Sequence, residues 1–266
     1  MAKIIAISNQ KGGVGKTTTA VNLSASLAAF ERKVLLIDLD PQGNASQGLG
    51  YNEVQEEDIY EALEAAEKPE AVTGDFLKGI IKPTGLKYMH LIPSSPGLAG
   101  LEMTLVNAPN RERRLQAVIQ AVRNEYEFVI IDSPPSLNLL TINALTAADS
   151  VLIPVQCEYY AMQGLAELFN TIRLVQKNLN TKLQIEGALL TMYDARLTLS
   201  KQVMDEVKGC FSEKIFKTAI PRNVKLAESP SHGKPVILYD IASVGAKSYI
   251  ALAEEILGIQ GGLKNG

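Results

Sequence analysis

The residues best suited to chemistry lie at 11 to 18, Lys-Gly-Gly-Val-Gly-Lys-Thr-Thr. Three glycines, Gly12, Gly13 and Gly15, let a backbone curl so that successive N–H groups point at one anion. Lys16 then reaches the β- and γ-phosphates of a nucleotide, and the Thr17 hydroxyl ligates Mg²⁺. Val14 and Thr18 complete the stretch. Three carboxylates stand at the ends of apolar runs. Asp38 and Asp40 close Lys33-Val-Leu-Leu-Ile-Asp-Leu-Asp40, and Asp132 closes Phe128-Val-Ile-Ile-Asp132. An aspartate at the end of a strand beside a phosphate loop holds Mg²⁺, directly or through water, and this role is expected of Asp132. Asp40, at a strand end beside the loop but outside it, suits a residue that orients water. Asp38 is expected partly to cap a turn and partly to stand in the outer shell of the metal.

Those residues need elements to carry them. Ile4 to Ile7 reads as a short buried strand that breaks into the glycine turn, and a helical pattern follows from Thr17 to Ala29. Strand, loop and helix N-terminus together make an anion cradle. The run from Lys33 to Asp40 is continuously apolar rather than alternating, which argues for a parallel strand buried on both faces. Ligands bind at the carboxyl ends of such strands. Tyr88 to Ile92 reads as a strand, and Gly97 to Val106 and Arg111 to Asn124 as helices. After the Asp132 strand come helix (Leu139 to Ala148), strand (Val151 to Val155), helix (Gly164 to Gln176) and strand (Ile185 to Leu190). This rhythm predicts an α/β fold, a doubly wound, mostly parallel sheet with helices on both faces. Further helices are expected at Leu199 to Cys210 and Val244 to Leu257. The stretch from 51 to 87 is the hardest to read. Its acidic part, Glu53 to Glu70, is expected to be a solvated peripheral element with Ile59, Leu63 and Ala66 on one helical face. No repeat or linker divides the chain, so residues 1–266 are expected to form one domain.

Composition bounds the rest. The 266 residues are 46% hydrophobic and 21% charged, with a formal net charge of −3. That charge gives no general attraction to nucleic acid or membrane, so any such binding needs a local patch. Cys157 and Cys210 lie far apart without metal-site spacing and read as core residues of a reducing compartment. No secretory signal and no run near the ~18 apolar residues of a membrane span is present.

The loop departs from the standard Walker A pattern. Gln10 occupies the position of its first glycine, and a second lysine, Lys11, precedes Gly12. A lysine there cannot easily wrap back onto phosphates enclosed by its own loop, and instead points outward, toward a nucleotide held by another subunit. This pattern resembles the deviant Walker A of the ParA/MinD/nitrogenase-iron-protein ATPases. The resemblance is nearest to the chromosomal ParA/Soj branch and runs over nearly the whole sequence. It is carried by Gln10–Leu23, Leu35-Leu-Ile-Asp-Leu-Asp-Pro-Gln-Gly-Asn44, Ile92-Pro-Ser-Ser-Pro-Gly-Leu-Ala-Gly100, Ile130-Ile-Asp-Ser-Pro-Pro-Ser136, Pro154-Val-Gln-Cys-Glu-Tyr-Tyr-Ala161 and Val224-Lys-Leu-Ala-Glu-Ser-Pro230.

The resemblance implies a P-loop DNA-segregation ATPase, cytoplasmic and nucleoid-associated, with ATP and Mg²⁺ as its ligands. It implies a nucleotide-sandwich homodimer that binds double-stranded DNA without sequence preference, and a ParB/Spo0J-type partner that stimulates hydrolysis through a basic tail. By the same resemblance Lys11 neutralises phosphate charge across the dimer, Asp40 positions the attacking water, and Asp132 belongs to the second switch. Adenine contacts are implied near Met192 and at Pro221, Arg222 and Asn223. Ser133, where relatives often have cysteine, is not expected to disturb this chemistry. Plasmid relatives that repress their own promoters carry an extension before the loop, which here begins within a dozen residues of Met1, so repression is not expected. A MinD-type membrane ATPase would need a basic amphipathic C-terminus, whereas Glu254 to Gly266 is acidic and then glycine-rich. An iron–sulfur branch member would need bracketing cysteines. A relative that positions a protein cargo differs only in its partner surfaces.

A DNA surface is expected in the C-terminal third. From Arg196 to Lys234 there are eight basic residues against four acidic, in a sequence that is otherwise acidic. Clustered Lys and Arg are what counterion release from DNA requires. Arg196, Arg222 and Lys225, in or beside loops, are the first candidates, followed by Lys201 and Lys234. Lys208, Lys214 and Lys217 fit a solvated face as well. No base-reading motif accompanies them.

Overall fold

The structure is a computed structural model and describes residues 1–53, 55–158, 161–211 and 214–259. The expected strand from the loop's N-terminal side forms as β1 (Lys3–Ile7), and the helix after the loop as α1 (Lys16–Ala29). Then come β2 (Val34–Asp38), α2 (Asn44–Gly48), α3 (Ile59–Ala65), α4 (Gly74–Ile80), β3 (Lys82–Pro83), β4 (Met89–Ile92), α5 (Leu98–Thr104), α6 (Arg114–Val122) and β5 (Phe128–Asp132). The second half holds α7 (Leu139–Ala147), β6 (Ser150–Gln156), α8 (Ala161–Asn178), β7 (Gln184–Thr191), α9 (Thr198–Phe211), α10 (Val224–Glu228), α11 (Val236–Tyr239) and α12 (Val244–Leu257). Among the described residues seven strands are ordered β3-β4-β2-β5-β1-β6-β7, and all neighbours are parallel except the two-residue edge strand β3.

Continuous apolarity has the meaning expected of it. Successive residues of one strand project to opposite faces. Ile4 and Ala6 of β1 join one buried cluster, with α3, α5, α6, α7 and α8. Ile5 and Ile7 join the other, with α1 and α12. The sheet is therefore covered on both sides. Truncating Ile37 or Leu36, both fully buried, would cost about 2–5 kcal/mol as cavity and lost transfer energy.

Three expectations change. The β2 run stops at Asp38 rather than Asp40, because Asp40 N–H turns back onto Asp38 Oδ1 at 3.2 Å and Asp40 C=O accepts Gly43 N–H at 2.8 Å. The acidic segment is not merely solvated. Its Ile59, Leu63 and Ala66 are buried in the core, and its acids act at the helix start, where Asp58 and Glu61 form a reciprocal capping box. The helix expected from Arg111 begins at Arg114, after a 3₁₀ turn at 111–113 that follows Asn110 in the left-handed region. Glu213, Tyr159, Tyr160 and the tail 260–266 lie outside the described residues.

Candidate functional site

The site forms where the carboxyl ends of β1, β2 and β5 meet. In register, Asp132 sits opposite both Ile7 and Asp38, so two carboxylates and the glycine loop emerge side by side. Ser133 fastens this end of the sheet, its hydroxyl donating to Ile7 C=O at 2.8 Å. The loop curls as its glycines allow. Gly13 and Gly15 have φ of +75° and +86°, a region costly for any residue with a Cβ. A Cβ at Gly12 or Gly13 would meet no protein atom within 4 Å, so the protein itself leaves the space above them open. Thr191, at the end of β7, braces the loop from behind by donating to Val14 C=O at 2.9 Å.

Above the loop lies a cavity of about 630 Å³. Gly12, Gly13, Gly15, Lys16, Thr17, Thr18, Asp40 and Met192 line it. Sequence reasoning did not single out Gln42, Asn44, Gln47, Asn52, Pro135 or Ser231, which also line it. The available signals were the loop composition of Pro41-Gln-Gly-Asn44 and, for Gln42, Asn44 and Pro135, their place in segments that carry the family resemblance. A second cavity of about 210 Å³ adjoins it, sharing Gly15, Thr18 and Met192 and bounded by Pro221, Arg222, Asn223 and Tyr249. The positions expected to contact adenine are thus brought together beside the cradle. Met192 is held there with φ of +50°, a conformation that side chains other than glycine adopt rarely.

Charge is arranged unequally. Lys16 is only 6% exposed, and its Nζ donates to Lys11 C=O at 3.2 Å. Burial lowers its pKa, while the Asp132 and Asp40 charges pull it back up. Asp132 is wholly buried, and among the described residues neither of its oxygens has a hydrogen-bond partner. Burial and then the neighbouring Asp38 raise its pKa well above the carboxylate range; the Thr17 hydroxyl and Lys16 face it and act the other way, short of hydrogen-bond geometry. Asp38 is also fully buried, but its oxygens accept from Asp40 N–H, Ser46 N–H and Ser46 Oγ. Burial nonetheless pushes it up to about 6.

An orphaned buried carboxylate across from a hydroxyl and an open N–H loop fits a hydrated cation carried by phosphate. Among the described residues, no three or more His, Cys, Asp or Glu converge as a cation cage. A Mg²⁺ ion in this place would rely on Thr17, water and phosphate, its ordinary preference. Asp132 can hold its waters, and Asp38, engaged by the loop, stands behind it.

Lys11 leaves the cavity altogether. Its Nζ is 2.9 Å from Glu158 Oε2, with the two side chains 33% and 47% exposed. Asn9 sets this direction by accepting Lys11 N–H at 3.0 Å while donating to Pro154 C=O at 2.7 Å. Neither Glu158 nor Asn9 was singled out from sequence, since nothing local marks either as a partner of Lys11.

The basic candidates separate into groups. Arg196 and Arg222 line one surface cavity of about 570 Å³ with Tyr193, Asp194 and Val224. Arg196 makes a bidentate pair with Asp194, at 2.9 and 2.7 Å, whereas among the described residues Arg222 donates only to Met192 Sδ, at 3.9 Å. Lys225 pairs with Glu228 at 2.9 Å and lies over the Tyr239 ring. Lys201 and Lys234 are exposed. Lys208 pairs with Asp205 along its own helix, at 3.7 Å, the solvated-face arrangement. Of the two cysteines expected in the core, Cys157 is buried and inert, its thiol pushed up to about 11, whereas Cys210 is exposed on the outer side of α9.

Comparison with known proteins agrees with this geometry. A family model described as an AAA domain matches residues 2–185. The sporulation initiation inhibitor protein Soj of Bacillus subtilis is 56% identical over 257 residues, which cover 96% of this chain and 98% of that one. The chromosome partitioning protein ParA of Myxococcus xanthus is 53% identical, over 97% of this chain and 88% of its own. Among solved structures, cobyrinic acid a,c-diamide synthase of Mycobacterium smegmatis, with bound ADP and magnesium, superposes with a TM-score of 0.81 at 34% identity. That match covers 97% of this chain and 94% of that one.

Proposed function

The chain belongs to the ParA/Soj family of partitioning ATPases, and from that premise we propose that it works as a DNA-segregation switch set by its nucleotide. It is an ATP hydrolase with ATP and Mg²⁺ as ligands, as the family and the ADP- and magnesium-bound neighbour support. The backbone of residues 12–16 and the Lys16 ammonium hold the phosphates. Thr17, and Asp132 through water, would hold Mg²⁺, which would supply neutralising charge to the phosphates. Asp40, on the wall of the same cavity, orients the attacking water. Met192 and Pro221 to Asn223 hold the base.

One observation carries the switch: a single loop sends one lysine inward and one outward. Lys16 is buried in the cavity, while Lys11 is turned to the surface. An outward lysine suits a nucleotide on another protomer, so on this reading ATP joins two copies through their Lys11 side chains. The dimer doubles the Arg196 and Arg222 surface. One protomer offers too few charges to hold DNA at physiological salt, and two pass the threshold because each phosphate contact multiplies affinity. A ParB-type partner stimulates hydrolysis and resets the cycle in a nucleoid-associated, cytoplasmic pool. Residues 1–266 act as one unit in it. Among the described residues no helix is long and apolar enough to cross a membrane.

Filter retention of random-sequence DNA, with ATP, with ADP and without nucleotide, tests this reading. Retention with ATP alone is expected, together with a turnover that rises when DNA and a ParB-type protein are added. Equal retention in all three states would overturn it.

A further inference from the structure

Ser94, in the Pro93-Ser94-Ser95 segment that follows β4, grips the Asp40 loop at two points. Its hydroxyl donates to the backbone carbonyl of Asp40 at 2.8 Å, and its N–H donates to Ser46 Oγ at 3.0 Å. Ser46 gives its own hydroxyl proton to Asp38 Oδ2 at 2.7 Å. Asp38 Oδ1 accepts Asp40 N–H at 3.2 Å, which closes the ring. The approach is close at a further point: a Cβ on Gly43, whose φ is +62°, would stand 3.4 Å from Ser94 C=O.

The Asp40 side chain is not held in this way. Its Oδ1 accepts Gln42 N–H at 3.0 Å, within its own turn, and no ion pair with it occurs among the described residues. The direction of the carboxylate therefore follows from where its backbone is fixed, and Ser94 fixes that backbone to the sheet. Orienting a water for in-line attack tolerates errors of only about 0.5 Å. Removing the Ser94 hydroxyl leaves Asp40 C=O still bonded to Gly43 N–H at 2.8 Å. The acceptor is not orphaned, so the folding cost is small and the loss falls on placement.

We propose that Ser94 is a positioning residue for ATP hydrolysis, acting through the backbone of Asp40. The proposal rests on the reading of Asp40 as the water-orienting residue. Ser94→Thr and Ser94→Val test it as a pair, because the two side chains share a shape and differ in the hydroxyl. In steady-state ATPase assays the valine variant is expected to lose roughly five- to tenfold in kcat relative to the threonine variant, the scale of one neutral hydrogen bond. KM and melting temperature are expected to match between the two. Equal kcat, or a valine defect that moves KM and melting temperature together with kcat, would overturn the proposal. Asp40→Ala, assayed alongside, separates the two readings. Turnover surviving in Asp40→Ala overturns the role of Asp40 and that of Ser94 with it. Turnover lost there but equal in the Thr and Val variants overturns the role of Ser94 alone.

Discussion

Lys11 Nζ and Glu158 Oε2 lie 2.9 Å apart, so the lysine proposed to reach a second protomer is ion-paired within its own. The pair is partly exposed on both sides, and contacts of that kind contribute about 0–1 kcal/mol. A triphosphate offers a stronger partner, through charge-assisted bonds to several oxygens. Exchange of Glu158 for phosphate is therefore favourable once two protomers meet. Lys11→Ala is expected to bind ATP as a monomer and to fail to dimerise, even when combined with Asp40→Ala. Glu158→Gln, which frees Lys11, is expected to shift the dimer midpoint to ATP concentrations a few-fold lower. Sedimentation velocity across an ATP series measures both. Normal dimerisation of the Lys11→Ala, Asp40→Ala double variant would remove Lys11 from the interface.

Lys16 is the inward counterpart. It lines the cavity proposed to hold the phosphates, and the Asp132 and Asp40 charges act on it in a buried site. Lys16→Ala is expected to weaken ATP binding roughly a hundredfold, as loss of a desolvated charge-assisted bond does. Titration with a fluorescent ATP analogue checks it. Affinity within a few-fold of the native protein would contradict the assignment.

Asp38 gives the apo protein a pH signature. An aspartate ionises near 3.9 in the unfolded state and at about 6 here, because burial disfavours its charge. Between those values the folded state holds the extra proton. Stability then falls as pH rises through that window, and the loss is complete above it. The gap of about two pKa units corresponds to a loss on the order of 3 kcal/mol. Asp38→Asn keeps an acceptor for Ser46 and cannot ionise. Urea unfolding at pH 4.5 and 6.5 should show a smaller decline, or a rise, for Asp38→Asn compared with the native protein. Parallel pH profiles would contradict the buried, raised carboxyl.

The DNA candidates are not equivalent. Arg222 has no carboxylate partner among the described residues, whereas Arg196 and Lys225 are engaged by Asp194 and Glu228. Phosphate must displace those partners and gains less. Arg222→Ala is expected to weaken DNA binding on every sequence and to flatten the salt dependence by about one unit of slope for each phosphate no longer neutralised. Lys225→Ala is expected to change it least. Because Arg222 also borders the base cavity, ATP affinity is measured in the same preparations. Full ATP-dependent DNA binding by both Arg196→Ala and Arg222→Ala would place the surface elsewhere.

The cradle and the sheet were legible because they rest on local rules. Glycines at 13 and 15 meet positive φ, and continuous apolar runs meet two-sided burial. The short elements were not legible. α2, α4, α10 and α11 span four to seven residues, too few for a helical period to stand out. The stretch after Ile59 misled because its acids are many and its buried face has only three or four residues. Lys11 was readable as an outward lysine from its place before Gly12, but Glu158 is 147 positions away and only the β6 fold-back brings it near. Ser94 was invisible for the same reason. Its partners lie 48 and 54 positions earlier, and a serine in a Pro-Ser-Ser-Pro loop looks like turn chemistry alone.

Asp40→Ala separates ATP binding from ATP turnover in one protein. Size-exclusion chromatography with light scattering, at saturating Mg²⁺ and ATP, reads the outcome. The expected result is a long-lived species at twice the protomer mass that retains DNA and hydrolyses no ATP. A monomer under those conditions, or a dimer that still turns over ATP, would contradict a switch in which ATP assembles the DNA-binding form and Asp40 ends it.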